Sequence, residues 1–129
     1  MRVPIKDGYY RGYKYYVIKI TEMEGGIYSE WGDNRYWFCG YVVIPDDHKI
    51  YKEDDWNLLD DEYEVHGGIT YTGWHRENQD EWVIGFDCNH AMDNPEIENA
   101  EYTENECKRL IDQIIKEGKH DRENNSKGI

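Results

Sequence analysis

The nine residues from Tyr36 to Ile44, YWFCGYVVI, are the most apolar run in the chain, and Pro45-Asp46-Asp47 ends them. So short a run of aromatic and β-branched residues reads as a central strand, and the rest of the chain must supply its neighbours. Gly40 inside it points to a bulge or a close backbone contact. Tyr13 to Thr21, YKYYVIKIT, has the composition of another strand, and Gly8 to Gly12 with Tyr9, Tyr10 and Arg11 reads as an aromatic lead-in or a preceding edge strand. Glu24-Gly25-Gly26 and Gly32-Asp33-Asn34 interrupt the pattern, leaving Ile27 to Trp31 as a short strand or a loop that carries Trp31.

Further on, Ile50 to Glu62 is acidic with isolated apolar residues at Trp56, Leu58 and Leu59, which suits a surface excursion or a short helical turn. Tyr63 to Tyr71 and Trp82 to Cys88 read as two more strands, antiparallel neighbours joined by the polar loop Thr72 to Asp80. Past Asp93-Asn94-Pro95 a helix is expected near Thr103. There Thr103 and Glu106 have capping-box spacing, and Cys107, Leu110, Ile111, Ile114 and Ile115 make one stripe. Gly118 is a candidate end for it. The expected fold is α+β, a mostly antiparallel sheet of four to six strands with one C-terminal helix packed on it. Residues 1–118 form a single domain, and residues 119–129 have nothing to bury and read as a disordered tail.

At 129 residues the chain has room for one core and one site cluster. Fifteen Lys and Arg against twenty-eight Asp and Glu leave a formal charge of −13, which argues against duplex DNA, RNA or an anionic membrane as partner. The N-terminus lacks the apolar run of a signal peptide, and no stretch approaches the roughly 18 apolar residues of a spanning helix. Cys39, Cys88 and Cys107 are an odd count without close spacing, which suits reduced thiols and a cytoplasmic location in a bacterial cell. Cys88 and Cys107 fall on core-facing positions and read as buried, inert thiols.

Chemistry is concentrated in Val65 to Tyr71 and Trp82 to Asp93. If both segments are strands, alternation puts Trp82, Ile84, Phe86 and Cys88 on the core face and leaves His66, Thr70 and Asp87 together on the other, beside a depression at Gly67, Gly68 and Gly85. The loop after Asp87 can bring His90 and Asp93 back toward His66. These two histidines and two carboxylates suit zinc, manganese or iron, or an acid and base pair, so a divalent metal is compatible although no cofactor is required. Paired histidines four apart with an intervening Glu, the usual metallohydrolase signature, are absent. Trp31 and Trp74 are the best candidates for stacking a ligand ring. Arg76, or a group of Arg11, Lys14 and Arg35, is the local positive charge, while His48, His75 and His120 read as surface residues.

The strings VHGGITYTG, WVIGFDCNHAMD and TENECKRLIDQI resemble a family of small, mostly uncharacterised proteins of bacteriophages and bacteria. That family's pattern is Val-His-Gly-Gly-aliphatic-Thr-Tyr, then Trp-aliphatic-Gly-Phe-Asp-Cys-x-His-x-x-Asp, then a helix with Glu-Cys. Gly40 to Pro45 with His48 extends the resemblance over about residues 40–115. Ala91-Met92, where a Gly often precedes the last Asp, and the Tyr-rich N-terminal third depart from it. The resemblance implies a phage or prophage product acting inside a bacterium.

Three functions follow, in order. The first is an anti-defence sponge that sequesters a small nucleotide-like host signal, its phosphate held by backbone amides at Gly67 and Gly68. Such a sponge is expected to be a homo-oligomer, with the tyrosine-rich strand Tyr13 to Thr21 as candidate interface. The second is a metal-dependent hydrolase using His66, Asp87, His90 and Asp93. The third is an acidic protein-interaction module built on Asp46 to Glu64, in which the His-Gly-Gly and Gly-Phe-Asp segments only brace the sheet.

Overall fold

A computed structural model describes residues 2–22 and 35–127, with side chains for 2–21 and 36–116. Five strands form one antiparallel sheet: β1 (Arg2–Tyr10), β2 (Tyr13–Glu22), β3 (Arg35–Val43), β4 (Tyr71–Trp74) and β5 (Trp82–Asp87), in the order β1-β2-β3-β5-β4. Helix α1 (Trp56–Glu62) lies between β3 and β4, and helix α2 (Ala100–Lys127) follows β5. The apolar run is the middle strand, as its composition requires. The chain is the expected α+β domain, and among the described residues no helix is long and apolar enough to cross a membrane.

Alternation divides the sheet into two faces. Tyr15, Val42, Ile84 and Phe86 lie under α2, against Cys107, Leu110, Ile111 and Ile114. That stripe is the one read from the sequence, and each fully buried aliphatic side chain contributes about 2 kcal/mol. Contact is close because Gly40 and Gly85 carry no Cβ. An added Cβ at Gly40 would stand 2.5 Å from the Phe86 ring and 2.7 Å from Cys107 Sγ, and one at Gly85 would stand 2.5 Å from the Tyr41 ring. Gly40 pairs with Phe86 and Tyr41 with Gly85, so each glycine makes room for the ring across the ladder, one on either face. The close contact expected at Gly40 is therefore with a ring and a helix, with no register shift in its ladders.

α2 begins three residues before Thr103. Asn99 is the cap, its Oδ1 accepting the Tyr102 N–H at 2.9 Å, while Thr103 is buried with its hydroxyl on the Asn99 carbonyl. Nor does the helix stop at Gly118: its backbone stays helical to Lys127, into the stretch read as a tail. One interior glycine costs a helix only about 1 kcal/mol. β2 lies between β1 and β3, so the tyrosine-rich strand offers no free edge for a second copy. The outer edges belong to β4 and to β1, and in β1 Pro4 and a register shift between Pro4 and Lys6 interrupt the ladder, features that oppose edge-to-edge pairing there. The segment from Ile27 to Trp31 lies outside the described residues.

Candidate functional site

The segment expected as a strand from Tyr63 to Tyr71 is extended in a sheet only from Tyr71 on. Val65 to Gly68 is a tight turn, Gly68 N–H donating to the Val65 carbonyl at 2.9 Å, with Gly67 at φ 69° and Gly68 at φ 85°. Consecutive positive-φ residues cannot continue a strand. Side chains from both helices take the place of a ladder. Glu106 Oε1 accepts the His66 N–H at 2.8 Å, Gln113 Oε1 accepts the Glu64 N–H at 2.7 Å, and Asp60 Oδ1 accepts the Ile69 N–H at 2.9 Å.

His66 therefore stands at a turn over α2, away from the sheet face that carries Asp87. Its Nε2 donates to Asp93 at 2.9 Å, which leaves Nδ1 to accept from the Tyr102 hydroxyl at 2.8 Å. Asp93 also accepts the His90 N–H at 2.9 Å. Burial alone would raise the Asp93 pKa, but the bonds from His66 and from the His90 backbone outweigh it and hold the carboxyl below its ordinary value. His90 Nε2 donates back to its own loop, to the Asp87 carbonyl at 3.0 Å, with Asp87 Oδ1 3.2 Å away. A Cβ on Gly67 would lie 2.0 Å from that nitrogen, so the His90 ring rests directly on the glycine backbone.

The four proposed ligands thus pair off as His66 with Asp93 and His90 with Asp87. Among the described residues, no group of three or more His, Cys, Asp or Glu converges as a metal site. The phosphate cradle does not form either: the Gly68 amide is spent on Val65, and the Asp60 carboxylate lies 2.5 Å from where a Gly68 Cβ would be. Thr70 is exposed, and its backbone N–H extends the ladder to the Gly85 carbonyl. The depression expected at Gly85 is filled by Tyr41. What remains is a clasp that ties the turn, the loop after β5 and α2 together. Cys88 is buried beside it, 3.6 Å from Thr103 Oγ1, and burial pushes its thiol up to about 12, where it is no nucleophile.

Trp74 and Arg76 are elsewhere. Trp74, at the end of β4, packs edge-on against Trp82 with ring centres 5.1 Å apart, and the Arg76 guanidinium lies 5.8 Å from the Tyr71 ring centre. Trp31 falls outside the described residues.

The second face of the sheet is apolar rather than polar, with Ile18, Cys39, Tyr41 and Val83 buried and Tyr16, Trp37 and Tyr71 half-buried around them. The loop after β4 folds back over it and carries His75, which is 3% exposed and not at the surface as its polar neighbours suggest. The Tyr16 ring lies 4.3 Å from the imidazole, centre to centre. Between this loop and β1 is a cleft of about 300 Å³, lined by Pro4, Ile5, Asp7, Tyr16, His75 and Glu77 among others.

The orientation of His75 is fixed by its own loop. The backbone N–H groups of Glu77 and Asn78 both donate to Nδ1, each at 3.0 Å. Glu77 Oε2 is 3.4 Å from the same nitrogen, but two converging donors leave no place for a proton there. The proton is on Nε2, and that buried N–H has no hydrogen-bond partner. Among the described side chains the only other buried polar atom without one is Nε1 of Trp82, whose ring packs against those of Tyr51 and Trp74. Desolvation lowers the His75 pKa, against the pull of Glu77 and Glu81, so the ring is neutral. Around it Arg2 donates to Glu77 at 2.7 Å, and Tyr16 donates to Glu81, whose carboxylate has Lys14 3.5 Å away.

Nothing in the composition of Thr72 to Asp80 separates His75 from a surface histidine. The one cue is its place two and three residues ahead of backbone N–H groups that a ring acceptor can collect. No protein-family model matches this chain, and no curated protein or solved structure does.

Proposed function

We propose that the protein is a binding module for a small nucleotide-like ligand, whose ring enters the cleft between β1 and the His75 loop. The cleft itself carries this reading, with the Tyr16 ring and the imidazole of His75 packed together in its lining. The size of the cleft, near the lower end of the range of small-molecule pockets, and its mixture of apolar walls with a few polar groups support one small ring compound. The resemblance to phage and bacterial accessory proteins supports sequestration of a host signal as the purpose of binding. The hydrolase reading loses support because its four residues are spent on one another in the clasp.

The test compares the wild type with His75→Asn, in which the amide oxygen can take over the role of Nδ1 while the ring that lines the cleft is deleted. A panel of ribonucleosides and nucleotides at millimolar concentration should raise the melting temperature of the wild type and leave the variant unmoved. Equal shifts in both proteins, or none in either, would remove the reading.

A further inference from the structure

We infer that the cleft seats its ligand by an N–H-bearing ring edge on the Asp7 carboxylate, and that among nucleobases it therefore prefers guanine. The inference rests on the binding reading above and narrows its ligand class. The irregularity in β1 sets the geometry. Pro4 pairs with Ile18 and Asp7 with Tyr16, so one extra residue between them leaves both Pro4 and Asp7 on the face that carries the cleft. Lys6, paired with Val17, turns to the opposite face, where its ammonium is 2.6 Å from Glu104 on α2.

Charge in the lining then reduces to one group. Glu104 meets Lys6, and Arg2 meets Glu77 at 2.7 Å. Asp7 has no ion pair or hydrogen bond among the described residues, so both its oxygens are open to a ligand. Side-chain donors around the cleft are spent or out of reach: the Tyr16 hydroxyl and the Asn78 amide both donate to Glu81, and the His75 Nε2–H is buried. What the side chains leave to a ligand is an acceptor. Guanine alone among the common bases carries two adjacent donors, the ring N–H and the neighbouring amino group, which match the two oxygens of one carboxylate as a charge-assisted bidentate pair. Adenine and cytosine set their amino group beside a ring acceptor, and uracil and hypoxanthine set their ring N–H beside carbonyls, so each turns an acceptor toward the second oxygen. Pro4, Ile5 and Ile18 give the flat ring its apolar walls.

Calorimetry with guanosine, inosine, adenosine, cytidine and uridine and with their 5′-monophosphates, on the wild type and Asp7→Asn, tests this. In whichever series binds, the guanine member should bind the wild type with 1:1 stoichiometry. Its hypoxanthine counterpart, which lacks only the amino group, should bind about tenfold more weakly, and the other bases no better. Asp7→Asn should weaken the guanine compound about tenfold and close its gap to hypoxanthine, with the melting temperature unchanged because Asp7 is exposed and bonds nothing in the chain. Any other base that binds as tightly as guanine, or a gap that survives in Asp7→Asn, overturns the inference and leaves the binding reading standing. If neither series binds, both fall.

Discussion

Two withdrawn histidines, His66 and His75, have opposite hydrogen-bonding accounts. Every polar atom of the His66 ring has a partner inside the protein, from Asp93 on one side and Tyr102 on the other, with Glu106 on its backbone N–H. His75 has one nitrogen doubly matched and the other unmatched. A fully satisfied group is explained by the structure it holds, whereas an unsatisfied one is a cost that the packing around it must offset. The contrast separates the two regions more sharply than residue type does, since both are histidines beside carboxylates.

Substitutions should break the two regions in different ways. The largest loss is expected for His66→Ala, which strands the Asp93 carboxylate and opens the turn over α2. Chemical denaturation should show about 3 kcal/mol less stability, with ligand affinity retained by whatever protein remains folded. Gly67→Ala should follow at about 2 kcal/mol, because the position demands φ 69° and the new methyl would displace the His90 ring. His75→Asn should change stability by less than about 1 kcal/mol in either direction while abolishing binding, the reverse of the His66 result.

The smallest effect is one of pH. Because burial lowers the folded pKa of His75 below 6.5, its contribution is complete above 6.5 and is lost as pH falls through the folded value. Protonation at Nδ1 would also expel the Glu77 and Asn78 N–H groups, so the loop over the cleft should loosen in the same window. Urea midpoints measured from pH 7.5 to 5 should show a shallow decline in the wild type and a flatter line in His75→Asn. Equal slopes would show that His75 does not titrate there.

The sequence was most legible where side-chain periodicity and burial agree. Tyr13 to Thr21, Tyr36 to Ile44 and Trp82 to Cys88 declared themselves as strands, and the stripe from Cys107 to Ile114 as a helix face, because each buries the residues its period puts on one side. Even the division of Trp82, Ile84 and Phe86 from Val83, Gly85 and Asp87 follows from alternation alone. Val65 to Tyr71 misled for a definite reason. Its Val, Ile, Thr and Tyr have strand propensity, but its backbone hydrogen bonds go to Asp60 and Glu106 on the two helices, partners that no local pattern announces.

The pairing of His66 with Asp93 was within reach of the sequence, since one loop had only to return. The burial of His75 was not. Its burial depends on a polar loop folding across Tyr16, a contact set by the register of β1, β2 and β3 rather than by anything in the loop's composition.

Side-chain nitrogen resonances of the two histidines, followed by long-range proton–nitrogen correlation while the tightest-binding compound of the ribonucleoside and nucleotide panel is titrated in, test the account most directly. It predicts His75 as the neutral Nε2–H tautomer in the free protein, with its ring resonances shifting as the cleft fills while the His66 resonances stay in place. A response at His66 with His75 unmoved, or a His75 protonated on Nδ1 from the start, would contradict it.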